Sequence, residues 1–143
     1  MLDTDFVLRA LQRLDNNLEI LKQISGISLD QFLSDPLQHG SAERYLQVSI
    51  EICLDITRHI VSTEALGDPK THAEAFALLS RAQIIPANFL STMQRMAGFR
   101  NRLEHLYWDI EQETVHEILQ TQLKDFDLFH DCIVAYLSQR GLI

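Results

Sequence analysis

Hydrophobic residues recur three and four positions apart along most of the chain, which is the spacing of one face of an α-helix. The clearest case runs from about Asp3 to Ser25, with Gly26 as the stop signal. Its apolar positions are Val7, Leu11, Leu14, Leu18 and Leu21. The pattern predicts an amphipathic first helix that turns one face to a core.

A second segment, from about Ser41 to Thr63, is apolar on most of its sides and leaves only a narrow polar stripe. The stripe consists of Arg44, Gln47, Glu51, Asp55 and Arg58. A helix this apolar is typical of the centre of a bundle. A short helical turn around Leu29 to Leu33 is predicted before it, ahead of Asp35-Pro36.

The second half of the chain carries clear helix boundary signals. Gly67-Asp68-Pro69 ends the central helix, and Thr71 with Glu74 three residues on forms a capping box. This signature predicts a helix to about Arg81.

Pro86 suits the first turn of the next helix, predicted to reach about Tyr107. Asp109 can cap a final stretch to about Gln139, with a break near positions 124–127. The inward positions of the helix after Pro86 are Phe89, Leu90, Met93, Met96, Ala97 and Leu103. The predicted architecture is all-α, an up-and-down bundle of four or five helices.

Composition supports this and limits the function classes. The chain has 143 residues with only 5 Gly and 3 Pro, which favours helices in a single domain spanning 1–143. The start of the chain is acidic and no apolar run could cross a bilayer, so we expect a cytoplasmic protein without a membrane partner. Cys53 and Cys132 lie in apolar helical patterns and are predicted to be reduced, packed thiols.

The charge is unevenly distributed. A net charge of −8 argues against a nucleic-acid partner, because phosphate binding depends on Lys and Arg. Residues 75–103, however, contain no acid at all but four arginines, whereas residues 104–131 hold eight acids and one base. The chain therefore has a basic middle and an acidic end.

The segment from Gly98 to Asp109 is the one that carries candidate chemistry. At about 100° per residue, Asn101 and His105 lie one helical turn apart, and Arg100 and Tyr107 share a stripe. Arg100 and His105 diverge by about 140°, so they can meet on one ligand only if their side chains bend toward a common cleft.

Cleavage of RNA requires a group that moves a proton near neutral pH and a group that holds phosphate charge. Histidine suits the first task and the guanidinium fork of arginine the second, without a metal or other cofactor. Spacing alone leaves function open, because a lone arginine or histidine on a helix is more often a solvated residue.

The segment resembles a known family. Arg100-Asn101-Arg102-Leu103-Glu104-His105 matches the signature of HEPN ribonucleases, an arginine followed after four to six residues by a histidine. Tyr107 extends it to the Arg-x4-His-x-Tyr motif of the HepT-like branch. Glu104 departs from the small or apolar residue usual before the histidine. The wider likeness covers about Ser41 to Tyr136 and includes Gly98-Phe99, Trp108-Asp109-Ile110 and Glu43-Arg44.

The resemblance implies a metal-independent endoribonuclease toxin in which the 2′-hydroxyl attacks the adjacent phosphate of tRNA or another RNA. It implies His105 as the acid–base residue, Arg100 as the phosphate-binding residue and Asn101 as an orienting residue. It also implies a homodimer and a nucleotidyltransferase antitoxin that adds adenylate to Tyr107.

Other residues allow several interpretations. Glu51 and Asp55 are one turn apart and could form a metal or acid–base pair, be solvated or ion-paired, or orient Arg100 across the bundle. Arg95 and Arg102 could contact the RNA backbone, but plain solvation is the commoner fate of such residues. The remaining histidines show no metal-ligand pattern; they are His39, His59, His72, His116 and His130.

Two other functions remain open at this point. One is a non-catalytic HEPN module that binds nucleotide or docks on a nucleotidyltransferase, which the acidic net charge favours. The other is a plain helical interaction domain, which would leave the polar motif unexplained.

Overall fold

The computed structural model describes residues 1–105 and 107–143, except for the side chain of residue 107, and the described part is helical with no strand. Two 3-10 turns, Ala87–Phe89 and Tyr107–Asp109, flank the fifth helix. The α-helices are Thr4–Ser25 (α1), Leu29–Ser34 (α2), Pro36–Thr63 (α3), His72–Arg81 (α4), Leu90–His105 (α5), Gln112–Thr121 (α6) and Leu123–Gln139 (α7). The all-α prediction is confirmed. The predicted number of four or five helices is too low for the described residues, since α2 is a separate helix and the predicted final helix is divided into α6 and α7.

The first helix follows the sequence pattern closely. The Asp3 carboxylate accepts a hydrogen bond from the backbone N–H of Phe6 at 3.0 Å, which satisfies one of the unpaired donors of the first turn. All five predicted apolar positions are buried, together with Ile24. α1 thus lies along the bundle with its apolar face inward.

The central helix α3 begins at Pro36, five residues before the predicted start at Ser41. Asp35 caps it by accepting from the backbone N–H of Leu37 at 3.0 Å, and proline is well tolerated in the first turn. Gly40 lies inside this helix, although glycine is unfavourable in a helix interior.

The fourth helix has the predicted N-terminal cap, since Thr71 Oγ1 accepts from the Glu74 backbone N–H at 3.1 Å. The reciprocal bond differs: the Glu74 carboxylate accepts from the backbone N–H of Lys70 rather than that of Thr71. Pro86 lies before a 3-10 turn instead of inside α5, which starts only at Leu90.

Three further boundaries were predicted wrongly. α5 ends at His105 rather than Tyr107. The cap position before α6 is Glu111, without a side-chain cap, rather than Asp109, which lies in the second 3-10 turn. The break in the last stretch lies at Gln122 rather than near positions 124–127. The hydrophobic pattern continues across this break, so it does not show where the break lies.

The helix α3 lies at the centre and packs against α1, α2, α4, α5 and α6. The buried side chains form one continuous cluster, in which the largest fully buried rings are Phe32, Phe76, Phe126 and Phe129.

Cys53 is buried, Cys132 is half-buried, and both are free thiols as predicted. Within residues 1–105 and 107–143, no helix is long and apolar enough to span a membrane. That residues 1–143 form one domain stays a prediction.

The helix α5 positions the motif. Of the six residues predicted to face inward, Leu90 is half-buried and the other five are buried, including Phe89 in the 3-10 turn just before α5. Gln94 Nε2 donates to the backbone carbonyl of Ala73 at 3.1 Å and ties α5 to the start of α4. Helix α5 packs against α3 and α4, and near its end Arg100 reaches Glu51 on α3.

Candidate active site

Arg100 is held from two sides. Its NH2 group lies 3.3 Å from Glu51 Oε1 on α3, and its NH1 group contacts Glu104 Oε2 one turn later on α5. Gln47 Nε2 donates to the same Glu51 oxygen at 3.1 Å. Glu51 is thus ion-paired, as one of its interpretations predicted, with Arg100 across the bundle as its partner, and a role in orienting Arg100 for function stays a prediction. Asp55 is exposed and makes no contact of this kind in the described residues.

The guanidinium of Arg100 is only partly satisfied. The side chain is 19% exposed, and its Nε is buried without a hydrogen-bond partner among the described residues. Buried polar atoms are nearly always paired, and an unpaired one needs a functional or structural reason. The unpaired Nε is buried, so an anion can reach Arg100 only at the terminal nitrogens NH1 and NH2, which contact Glu104 and Glu51.

Asn101 is next to Arg100 and is exposed. Its Oδ1 accepts from Arg100 NH1 at 3.3 Å. This contact fits the predicted orienting role, because the amide helps to fix the direction of the guanidinium.

His105 is the most accessible member of the group, with a side chain 69% exposed at the end of α5. Its Nε2 lies 3.4 Å from Glu104 Oε2, the same oxygen that contacts Arg100 NH1. The two groups that an ideal helix separates by about 140° thus bend to one anionic oxygen. The residue that joins them, Glu104, is the one that departs from the family pattern.

A second histidine, which sequence reasoning did not connect with the motif, lies near this cluster. Arg58 NH2 contacts both ring nitrogens of His72, at 2.6 Å to Nδ1 and 3.1 Å to Nε2. Burial, then the charge of Arg58, then that of Arg100 lower the pKa of His72 below the usual 6.5, while Glu104 raises it. The sequence signal that could have located His72 is the capping box at the start of α4, because it places His72 in the first turn of that helix.

Arg95 and Arg102 lie on another side of α5 and are exposed. Arg95 NH2 donates to Thr92 Oγ1 at 3.3 Å, and the Arg102 guanidinium lies 6.0 Å from the centre of the Phe99 ring. The structure therefore does not group them with Arg100. Their contact with RNA stays a prediction.

Tyr107 does not share a stripe of α5 with Arg100, because α5 ends at His105 and the backbone of Tyr107 belongs to the separate 3-10 turn. That part of the prediction is wrong. The side chain of Tyr107 lies outside the described residues, so its role as modification site stays a prediction.

Three of the other histidines have structural partners. His59 accepts from the backbone N–H of Asp3 at 3.0 Å, His116 pairs with the carbonyl of Ile27 at 2.9 Å, and His130 lies 3.2 Å from Asp15. In the described part of the chain, no three His, Cys, Asp or Glu side chains are grouped to hold a metal ion.

Comparison with known proteins identifies relatives over most of the chain. The family model "Ribonuclease HepT-like" matches residues 14–133. A tRNA nuclease HepT of Aphanizomenon flos-aquae is 34% identical over 127 residues, which are 89% of this chain and 86% of the relative. An mRNA nuclease HepT of Shewanella oneidensis is 28% identical over 131 residues, 92% of this chain and 98% of the relative.

A solved structure shares the fold. The tri-AMPylated HEPN toxin of Shewanella oneidensis, in complex with an MNT antitoxin, matches with a TM-score of 0.85 and 28% identity. The match covers 92% of this chain and 98% of that one. The helices that hold Arg100 and His105 therefore belong to a shared architecture.

Proposed function

The chain belongs to the HepT-like ribonuclease family, and we propose that it is a metal-independent endoribonuclease toxin neutralised by adenylylation. One observation carries the proposal: Arg100 NH1 and His105 Nε2 both contact a single anionic oxygen, that of Glu104. A guanidinium and an imidazole that meet on one anion can do the same with a phosphate oxygen of RNA.

The reaction follows from these groups. The 2′-hydroxyl loses its proton and attacks the adjacent phosphorus, the bond from phosphorus to the 5′-oxygen breaks, and a 2′,3′-cyclic phosphate and a 5′-hydroxyl form. His105 moves the proton, since its side chain is exposed to substrate. Arg100 stabilises the charge that develops on the phosphoryl oxygens, with Asn101 beside it to fix its direction.

We propose tRNA as the substrate class, because the 34% identical relative is a tRNA nuclease. The basic stretch of residues 75–103, which contains the arginines of α5, supports an RNA ligand despite the net charge of −8. The protein acts in the cytoplasm as a homodimer, in which the exposed ends of two α5 helices form a shared cleft.

The proposed partner is a nucleotidyltransferase antitoxin, and the proposed modification site is Tyr107. The tri-AMPylated relative was solved together with an MNT antitoxin. Tyr107 follows His105 by two residues. Adenylate groups on its hydroxyl add phosphate charge close in sequence to Arg100 and His105, where they compete with RNA.

The activity can be tested with total tRNA in EDTA, followed by end-group analysis. We expect products with a 2′,3′-cyclic phosphate and a 5′-hydroxyl, and a loss of about 10²–10⁴-fold in His105→Ala. Cleavage that persists in a folded His105→Ala protein would contradict the assignment of the proton-transfer residue. Cleavage that stops in EDTA and returns with a divalent cation would contradict metal independence.

The control mechanism can be tested separately with ATP, Mg²⁺ and the cognate nucleotidyltransferase. We expect adenylate mass on the peptide that contains Tyr107 and a loss of cleavage, whereas Tyr107→Phe retains nuclease activity and resists silencing. Label on another residue, or equal silencing of the Tyr107→Phe protein, would refute the mechanism and leave the nuclease proposal standing.

The second candidate is a non-catalytic HEPN module that binds nucleotide or docks on a nucleotidyltransferase. It is favoured by the contact of Glu104 with the NH1 group of Arg100, which leaves the guanidinium partly neutralised. This candidate predicts binding of nucleotide without cleavage of any RNA in the same assay.

A further inference from the structure

A groove lies beside the motif, on the side of α5 that carries Arg95, Phe99 and Arg102. Residues of α3, α5, α6 and α7 line it, and its volume is about 290 Å³. The α5 wall carries Arg95, Phe99 and Arg102, and the other side offers Glu117 and Gln122. The groove is thus apolar inside, with two cations at its edge.

One edge of the groove is close to His105 on the surface of α5. At about 100° and 1.5 Å per residue, Arg102 lies about 60° from His105 around the axis and about 4.5 Å before it, whereas Arg95 lies about 80° away and about 15 Å before it. Phe99 lies about 120° from His105, on the far side of Arg102, so Arg102 is the part of the groove that adjoins the candidate active site. A strand that places one phosphate on Arg100 and His105 needs to extend by about the width of one helix to reach Phe99.

We propose that this groove binds one unpaired base of the RNA next to the cleaved bond, an inference that rests on the proposed function. The Phe99 ring is half-buried and supplies a fixed stacking face, which unpaired bases use without strong sequence preference. The Arg102 guanidinium lies 6.0 Å from the centre of that ring, at the edge of the groove, where it can bind a phosphate of the same strand.

The volume and the polar groups of the groove fit a single base. The volume of about 290 Å³ lies near the lower end of the usual range of roughly 300–1,000 Å³ for small-molecule pockets, so the groove has room for a single base. Glu117 can accept from the N–H edge of a base, and Gln122 can donate or accept. Arg95 and Arg102 hold the flanking phosphates. Their positive charge at the edge of the groove favours RNA, which carries a negative charge at each phosphate, over a protein segment with few acidic residues.

The test compares RNA binding by Phe99→Leu and by a matched control, Phe6→Leu, in a His105→Ala background that does not cut the probe. Phe6 is another half-buried ring, on α1, where it packs against His59. The probes are a short single-stranded RNA and the same strand with an abasic site next to the cleaved bond. We expect Phe99→Leu to weaken binding of the intact strand about 5- to 100-fold, and Phe6→Leu to leave it unchanged.

A base contact makes a further prediction about the abasic strand. Phe99→Leu and the missing base should not add, because each removes the same stacking contact. Arg102→Gln, at an exposed position that does not threaten folding, should weaken binding of both strands. Equal binding of the intact strand by the Phe99→Leu and parent proteins, or full additivity with the abasic site, would overturn the proposal.

The outcomes also separate this inference from the proposed function. If the protein with His105 intact cleaves RNA while Phe99→Leu leaves KM and kcat unchanged, the groove proposal fails and the nuclease stands. If no RNA is cleaved but binding depends on Phe99 and on the base, the groove is a base-binding site of a non-catalytic protein. If Phe99→Leu is unfolded, the Arg102→Gln measurement decides, and unchanged binding there overturns the proposal.

Discussion

Two arginines of this protein each form an ion pair with a different glutamate of the α3 region, and the two clusters differ in their other contacts. Arg100 on α5 contacts Glu51 in the body of α3, and Arg140 at the end of α7 contacts Glu64, the residue that caps the C-terminus of α3. Both ion pairs join helices that are distant in sequence. Only one of them is proposed to do chemistry.

The cluster of Arg140 is closed on itself. Arg140 NH1 contacts Glu64 Oε1 and lies 2.8 Å from the hydroxyl of Tyr136, which donates to the same Glu64 oxygen at 3.0 Å. Burial and the hydrogen bond to Glu64 raise the pKa of the Tyr136 phenol above its usual range. The donors and acceptors satisfy one another, which is the pattern of a structural tie between helix ends.

The cluster of Arg100 is open by contrast. Arg100 is more buried than Arg140, at 19% against 46% exposure, yet its Nε has no partner in the described residues. Its neighbours include the exposed imidazole of His105. The exposed imidazole of His105 beside the Arg100 ion pair therefore distinguishes this candidate site from the tie between Arg140 and Glu64.

Replacement of the two arginines by lysine should give the largest contrast. Arg100→Lys should lower kcat/KM for RNA about 10²–10³-fold, because an ammonium lacks the fork that binds Glu51 and phosphate together. Arg140→Lys should leave cleavage unchanged. The measurement is cleavage of tRNA, with circular dichroism to confirm that both variants are folded.

Equal activity of Arg100→Lys and Arg140→Lys would contradict a specific role of Arg100 in cleavage. It would mean that Arg100 supplies only diffuse positive charge, as any cation near the site could do.

The glutamate partners provide the next contrast. Glu51→Gln should lower kcat up to about 100-fold, since Arg100 loses its anchor on α3 and positioning errors are costly in catalysis. Glu64→Gln should lower the thermal unfolding midpoint without changing kcat. A kcat loss of similar size in both variants would show that Glu51 acts on stability rather than on the position of Arg100.

The sequence predicted the local parts of this picture well. The face of α1, the cap at Thr71 and the burial of Met93 follow from patterns within one helix. Arg100, Asn101 and His105 were identified from a motif, although their roles stay predictions. The motif could not show that Glu104 would bind Arg100 and His105 at once, because side-chain direction depends on packing against α3.

Contacts between distant segments could not be predicted. Glu51 and Arg100 are 49 residues apart, and three interpretations of Glu51 were open until α3 and α5 were seen together. The proximity of His72 to this cluster depends on how the segment after α3 folds back. The groove beside Phe99 draws on four helices, and no pattern within one of them indicates it.

A smaller effect in the opposite direction is expected from Glu104→Gln. The Glu104 carboxylate lies between Arg100 and His105, where the proposed mechanism places a substrate phosphate. Neutralising it should raise kcat/KM about twofold to fivefold, the range for partly exposed ion pairs. Glu19→Gln, at an exposed carboxylate of α1, removes the same charge elsewhere and should have no effect. A lower kcat/KM in Glu104→Gln would show instead that Glu104 holds the two groups in place.

The smallest expected effect is a change in the titration of His72. Burial, Arg58 and Arg100 favour the neutral ring, so the pKa of His72 in the folded protein lies below the usual 6.5. The unfolded chain therefore binds a proton at this position at higher pH than the folded chain does, and His72 lowers stability as the pH falls below 6.5. Arg100→Gln removes one of the three causes, whereas Arg140→Gln should change nothing at His72.

In an NMR titration of the histidine rings, the pKa of His72 should rise in Arg100→Gln but stay below its usual value, since burial and Arg58 remain. Thermal unfolding should then depend less on pH below 6.5 in Arg100→Gln than in the parent protein. Identical His72 titration curves in the two arginine variants would show that the charge of Arg100 does not reach this histidine. In that case the open cluster would be confined to the contacts of Arg100 with Glu51, Glu104 and Asn101.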